Sequence, residues 1–129
     1  MSLFINPTAT GMPEWVRQAA TAINWLLRRS ATPYISVPAT KAANFTVADT
    51  DVAFINNKPA AGCVVTLPNA TQYAGRLLYF VNYQAQTLTS AAANVVPLGG
   101  GAPAAAILPA AVGAKATLAS DGTNWIIIQ

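Results

Sequence analysis

Asp121-Gly122-Thr123-Asn124-Trp125-Ile126-Ile127-Ile128-Gln129 is the stretch that decides the fold. Asp-Gly is the dipeptide of a tight type I′ hairpin, in which both central residues take positive φ. On either side lie strand-like runs, Ala114–Ala119 and Trp125–Ile128, the second built from an aromatic and three β-branched residues. The reading is a closing β-hairpin, with Trp125, Ile126 and Ile128 buried and Asp121-Gly122 at a solvent-exposed tip.

Working upstream, period-two runs recur between turn signals. Strands are predicted at Tyr34–Val37, Ala43–Val47, Val52–Asn56, Cys63–Leu67, Leu77–Asn82, Thr87–Ser90, Val95–Leu98, Ala114–Leu118 and Trp125–Ile128. Val37-Pro38, Asp49-Thr50-Asp51, Lys58-Pro59, Leu67-Pro68, Gly99-Gly100-Gly101 and Asp121-Gly122 separate them. Short strands at this spacing with no helical pattern between them predict a mainly β head over residues 31–129, an antiparallel β-sandwich or jelly roll. In Leu77–Asn82, Leu77, Tyr79 and Val81 share one face and Leu78, Phe80 and Asn82 the other. Both faces are mostly apolar, which makes this strand central or covered at an interface. Residues 99–113 are rich in Gly, Ala and Pro, yet Ile107 and Leu108 predict an ordered crossing of the sandwich end.

Residues 1–30 read differently. Asn6-Pro7-Thr8-Ala9-Thr10-Gly11 has no periodicity and is predicted to be extended, suited to lying in a groove. One α-helix is predicted over 13–29, with Pro13 at its first position, Glu14 in its first turn and Arg28-Arg29 in its last. Met12, Val16, Ala19, Ile23 and Leu26 form a seam that Trp15, Ala22 and Leu27 widen. Two heptads are too short to hold a coiled coil alone, and a helix in a protein draws most of its stability from packing its apolar face, so this one needs a partner surface. Either it bundles with sister chains or docks in a larger assembly, or it folds back on its own β-domain. Phe4, Ile5, Trp15, Val16, Ala19, Ile23 and Leu26 are the candidate attachment and oligomer-interface residues.

Composition narrows the function classes. Only 9 % of the 129 residues are charged, against about 25 % in an average soluble domain. Such a surface predicts cover by copies of the chain or by a partner; the alternative is a monomer made soluble by its Ser, Thr, Asn and Gln. The net charge of +3 comes from seven scattered basic residues, not from the clustered Lys and Arg of a nucleic-acid module. No apolar run reaches membrane-spanning length, and Met1–Pro7 lacks the basic and apolar regions of a signal peptide. Neither nucleic acid nor membrane is expected as a partner.

Catalytic chemistry is not expected either. The chain has no histidine and four acids, Glu14, Asp49, Asp51 and Asp121. Glu14 and Asp121 are accounted for by a helix end and a hairpin, and Asp49 and Asp51 by an Asx-type turn. The single cysteine, Cys63, lacks a base partner and reads as a buried thiol. No acidic repeat suits calcium, and the glycine triplet is not followed by a phosphate-loop Lys-Ser/Thr pair. No catalytic, metal or cofactor site is therefore predicted. Tyr73 and Tyr83, near turns, are the candidate rings for stacking on a sugar.

The order of pieces from Leu67-Pro68-Asn69-Ala70, through Gly75-Arg76 into Leu77–Asn82, to the closing Ser120-Asp121-Gly122-Thr123-Asn124-Trp125 resembles small β-domains of tailed-phage fibre, spike and head-decoration proteins. The resemblance covers roughly residues 45–129. It implies a homotrimeric structural protein on the virion surface, made in the host cytoplasm. Its partners would be its own copies and the major capsid protein or another virion protein. Absence of shaft repeats favours a head-fibre or capsid-decoration role, held by the N-terminal arm. The alternative is a tail-fibre or spike tip that binds a host-surface glycan.

Overall fold

The computed structural model describes residues 37–129; the predicted helix over 13–29 and the candidate residues Phe4, Ile5, Trp15, Val16, Ala19, Ile23 and Leu26 lie outside them. The strands in chain order are β1 (Ala39–Lys41), β2 (Phe45–Thr46), β3 (Ala53–Asn56), β4 (Cys63–Thr66), β5 (Leu77–Asn82), β6 (Leu88–Ser90), β7 (Val95–Val96), β8 (Ala106–Leu108), β9 (Lys115–Ser120) and β10 (Trp125–Ile127). A single 3-10 turn, Ala70–Gln72, sits between β4 and β5, its Asn69 side chain accepting from the Thr71 amide. Two sheets form, ordered β1-β3-β5-β9-β10-β7 and β2-β4-β6-β8.

From β1 to β6 every step along the chain switches sheet, and every return lands parallel beside the previous strand of that sheet. This is the winding of a short β-solenoid, in which each turn stacks on its neighbour. The last strands then close the stack: β9 runs antiparallel to β5, β10 antiparallel to β9, and β8 antiparallel to β6. The predicted antiparallel sandwich is thus corrected to mixed sheets, with parallel pairing in five of the eight strand pairs. The mainly β character and the central place of β5 hold.

Stacking aligns like with like inside the coil. Phe54 and Phe80 are paired residues of β3 and β5, and their rings stack with centroids 5.2 Å apart. Phe45 approaches Phe54 at 5.0 Å from the other sheet. One step along, Asn56 Nδ2 donates to Asn82 Oδ1 at 2.9 Å. Asn82 Nδ2 in turn donates to the carbonyls of Gln86 and Pro109, so both buried amides are engaged. Cys63, Val65, Leu78, Leu88, Val95, Leu118 and Trp125 complete a core with no exposed surface.

The closing hairpin forms with a different turn from the predicted one. Ser120 pairs with Trp125, leaving a four-residue loop, Asp121–Asn124. Only Gly122 there has positive φ, at 90°. The Asp121 carboxylate accepts from the amides of Thr123 (2.8 Å) and Asn124 (2.7 Å), which holds the loop without a type I′ geometry. Side-chain alternation also corrects the predicted burial. Trp125 and Ile127 turn inward, Ile126 is half-buried on the outer face, and Ile128 is 52 % exposed. The Trp125 indole N–H donates to the Pro68 carbonyl at 2.9 Å, tying the hairpin to the Leu67-Pro68 turn.

Other boundaries shift as well. The predicted Tyr34–Val37 strand falls outside the described residues except for Val37, which is 91 % exposed, and Ala39–Lys41 pairs instead. Within 99–113, Ile107 and Leu108 are buried as expected, but they belong to β8, a strand and not a loop.

Candidate functional site

The titratable groups divide into small structural arrangements. At the Asp49–Asp51 turn, the Asp51 carboxylate accepts from the Ala48 amide at 2.8 Å, and the Asp51 amide donates back to the Ala48 carbonyl. Arg76 Nη2 donates to the carbonyls of Ala48 (2.6 Å) and Asp51 (2.9 Å), while its guanidinium lies 4.8 Å from the centre of the Tyr73 ring. The Tyr73 hydroxyl donates to Asp49, and that bond raises the phenol above its ordinary value. Cys63 lies in the core with its Sγ 3.7 Å from the Ala43 carbonyl; burial pushes the thiol up, against the pull of Lys58. Among the described residues no three His, Cys, Asp or Glu side chains converge as a metal site would require.

Asp121 carries a pH signature. Its carboxyl is held below the ordinary value of 3.8 by the Asn124 and Thr123 amides. A depressed folded value means that the stabilisation is full above the ordinary carboxylate range and is lost as pH falls through the folded value. The Thr123 and Asn124 amide resonances should therefore titrate together with a midpoint below 3.8. Asp121→Asn, which keeps an acceptor oxygen but cannot ionise there, should abolish that titration and keep the loop.

The two outer faces of the head differ in kind. On the four-stranded sheet, register places Thr46, Val64, Thr66, Thr89 and Ala106 outward. Hydroxyls dominate there, and Thr46 lies directly opposite Thr66. On the six-stranded sheet the outward residues are Thr40 of β1, Ala53 and Ile55 of β3, Leu77, Tyr79 and Val81 of β5, and Lys115, Thr117 and Ala119 of β9. Ile126 of β10 and Val96 of β7 extend the same face. Leu77 at 39 % and Ile128 at 52 % exposure leave large aliphatic surface in water. Ile55, Tyr79, Val81, Val96 and Ile126 are half-buried beside them, so the face presents a row of partly exposed apolar side chains. Contiguous apolar surface is the kind that interaction sites use.

An open groove of about 390 Å³ runs across this face, lined by Pro38, Ile55, Tyr79, Val81, Tyr83 and Lys115 among others. Tyr83 is 57 % exposed at its rim. Tyr73 does not join it: Tyr73 precedes the start of β5 and Tyr83 follows its end, six residues or roughly 20 Å of strand apart. The two candidate tyrosines therefore do not form one platform. Sequence reasoning found Tyr79 and Val81 as members of a second apolar face. It missed Ile55 and Ile126 as outward residues, because their facing depends on register.

No family model, curated protein or solved structure gives a significant match to the chain.

Proposed function

We propose that this protein is a structural component of a tailed-bacteriophage virion, a homotrimeric head-fibre or capsid-decoration protein. The observation that carries the reading is the apolar outer face of the six-stranded sheet, set beside a threonine-based face on the same head. A sparsely charged domain with one such face is built to be covered. The ordered Leu-Pro, Gly-Arg and Ser-Asp-Gly-Thr-Asn-Trp motifs support the phage assignment, and the apolar stripe of residues 12–27 supports attachment through the N-terminal arm. The role is mechanical: the arm binds the shell or another virion protein, and the heads associate and project from the surface. No cofactor, nucleic acid or membrane takes part.

A second reading has one observation behind it, the groove beside Tyr79 and Tyr83. In that reading the head is a tail-fibre or spike tip, and the groove takes a host-surface glycan. An electron-microscopy map of particles carrying the protein tests both. The expected map has heads in three-fold clusters on the capsid, with residues 1–29 against the shell. Clusters confined to the tail tip would support the glycan-binding reading, and particles without such density would contradict the virion assignment.

A further inference from the structure

The charges of the described residues are sorted to opposite ends of the head, and of the lysines Lys115 alone lies on the apolar face. Lys41 closes β1 with its Nζ 5.6 Å from the centre of the Phe45 ring, Lys58 follows β3 with its Nζ donating to Asn44 Oδ1 and the Gly62 carbonyl, and Lys115 opens β9 opposite Val81 near the end of β5. All three lysines of the described residues therefore lie where β1, β3 and β5 finish. The three aspartates of the described residues lie at the other end. Asp49 and Asp51 pack around Tyr73 and Arg76, just before β5, and Asp121 follows β9, whose Ser120 carbonyl receives the Gly75 amide. Arg76, the one cation at that end among the described residues, already donates to two backbone carbonyls.

This arrangement constrains how copies can meet. Heads set side by side in the same direction would bring lysine against lysine and aspartate against aspartate. A heterologous contact brings the basic end of one copy to the acidic end of the next, and such contacts close into a ring when the rotation permits. Opposite charges then match at every junction, and the apolar outer faces can turn toward the common axis, away from water. We propose that the heads associate head-to-tail, the lysine end of each meeting the aspartate end of its neighbour, with the groove face of the six-stranded sheet buried between copies. The proposal rests on the three-fold assembly inferred above and assigns its interface.

Zero-length carbodiimide coupling of the full chain tests it. The reagent joins a carboxylate to an amine only where they touch. Within one chain, Lys115 and Asp121 stand at opposite ends of the six-residue β9, roughly 20 Å apart. Coupling an equal mixture of unlabelled and ¹⁵N-labelled protein should give mixed-label peptides joining Lys58 or Lys115 to Asp49, Asp51 or Asp121. Light scattering on the same sample should give three times the 13.4 kDa chain mass. A three-chain mass without those Lys–Asp peptides would overturn the head-to-tail interface and leave the trimer standing. A one-chain or two-chain mass would overturn the three-fold assembly itself, whichever peptides were found.

Discussion

Trp125→Ala is expected to unfold the head at ordinary temperature. The indole has no exposed surface, packs among the core residues of both sheets, and donates its N–H to the Pro68 carbonyl. Truncating a buried Trp or Phe to alanine costs ~3–5 kcal/mol, a large share of the ~5–15 kcal/mol that holds a domain together. The variant also leaves the Pro68 carbonyl without its partner, which loosens the turn leading into β5. Thermal denaturation followed by circular dichroism checks this. Ile128→Ala, three residues on, is the matched comparison: Ile128 is 52 % exposed, and its truncation should move the melting temperature little. A Trp125→Ala protein that melts like the parent would mean the ring is not a core element.

The second large effect is expected at Asn82. Its buried side chain accepts from Asn56 Nδ2 inside the coil and donates to the part-buried carbonyls of Gln86 and Pro109. Asn82→Leu keeps the volume and removes all three bonds. Each buried polar group left alone costs ~1–3 kcal/mol, so the loss should approach that of Trp125→Ala. The Asn56 amide contributes a pairwise part that a double-mutant cycle isolates. Asn56→Leu with Asn82→Leu should cost clearly less than the two single changes added together, because the pair shares one bond. Additive losses would mean the ladder between turns of the coil contributes nothing as a pair.

Asn82 also shows why the solenoid was hard to read in the sequence. Aligned positions are Ala39, Phe54 and Phe80 in one sheet, so one turn takes 15 residues and the next 26. No fixed period survives that change, so the turns leave no repeat in the sequence. Without a period, successive short strands between turns look like hairpins, which suggests antiparallel pairing where the chain instead crosses to the other sheet. β1 and β8 were invisible for a different reason. Ala39-Thr40-Lys41 and Ala106-Ile107-Leu108 have little or diluted β-propensity, and pairing with β3 and β6 makes them strands.

What local chemistry controls was legible. Alternation in Leu77–Asn82 assigned the inward residues Leu78, Phe80 and Asn82. The buried state of Cys63 and the anchoring of Ile107 and Leu108 followed from their apolar surroundings. The closing hairpin was found, but its loop length was not, because the Asp121 carboxylate can satisfy Thr123 and Asn124 as readily as a two-residue turn can form. Of the candidate surface, only the β5 part was visible; Ile55 and Ile126 join it through register.

The outer face of the six-stranded sheet is the proposed interface between copies. Val81→Glu addresses it directly. Val81 is half-buried on that face and sits opposite Lys115, so the new carboxylate has a cross-strand partner and the head should stay folded. Thr66→Glu puts the same charge on the outer face of the other sheet. Light scattering should give three times the 13.4 kDa chain mass for the parent and for Thr66→Glu, and a single-chain mass for Val81→Glu. A single-chain mass for the parent, or a Val81→Glu protein that keeps the parent's mass, would contradict the claim.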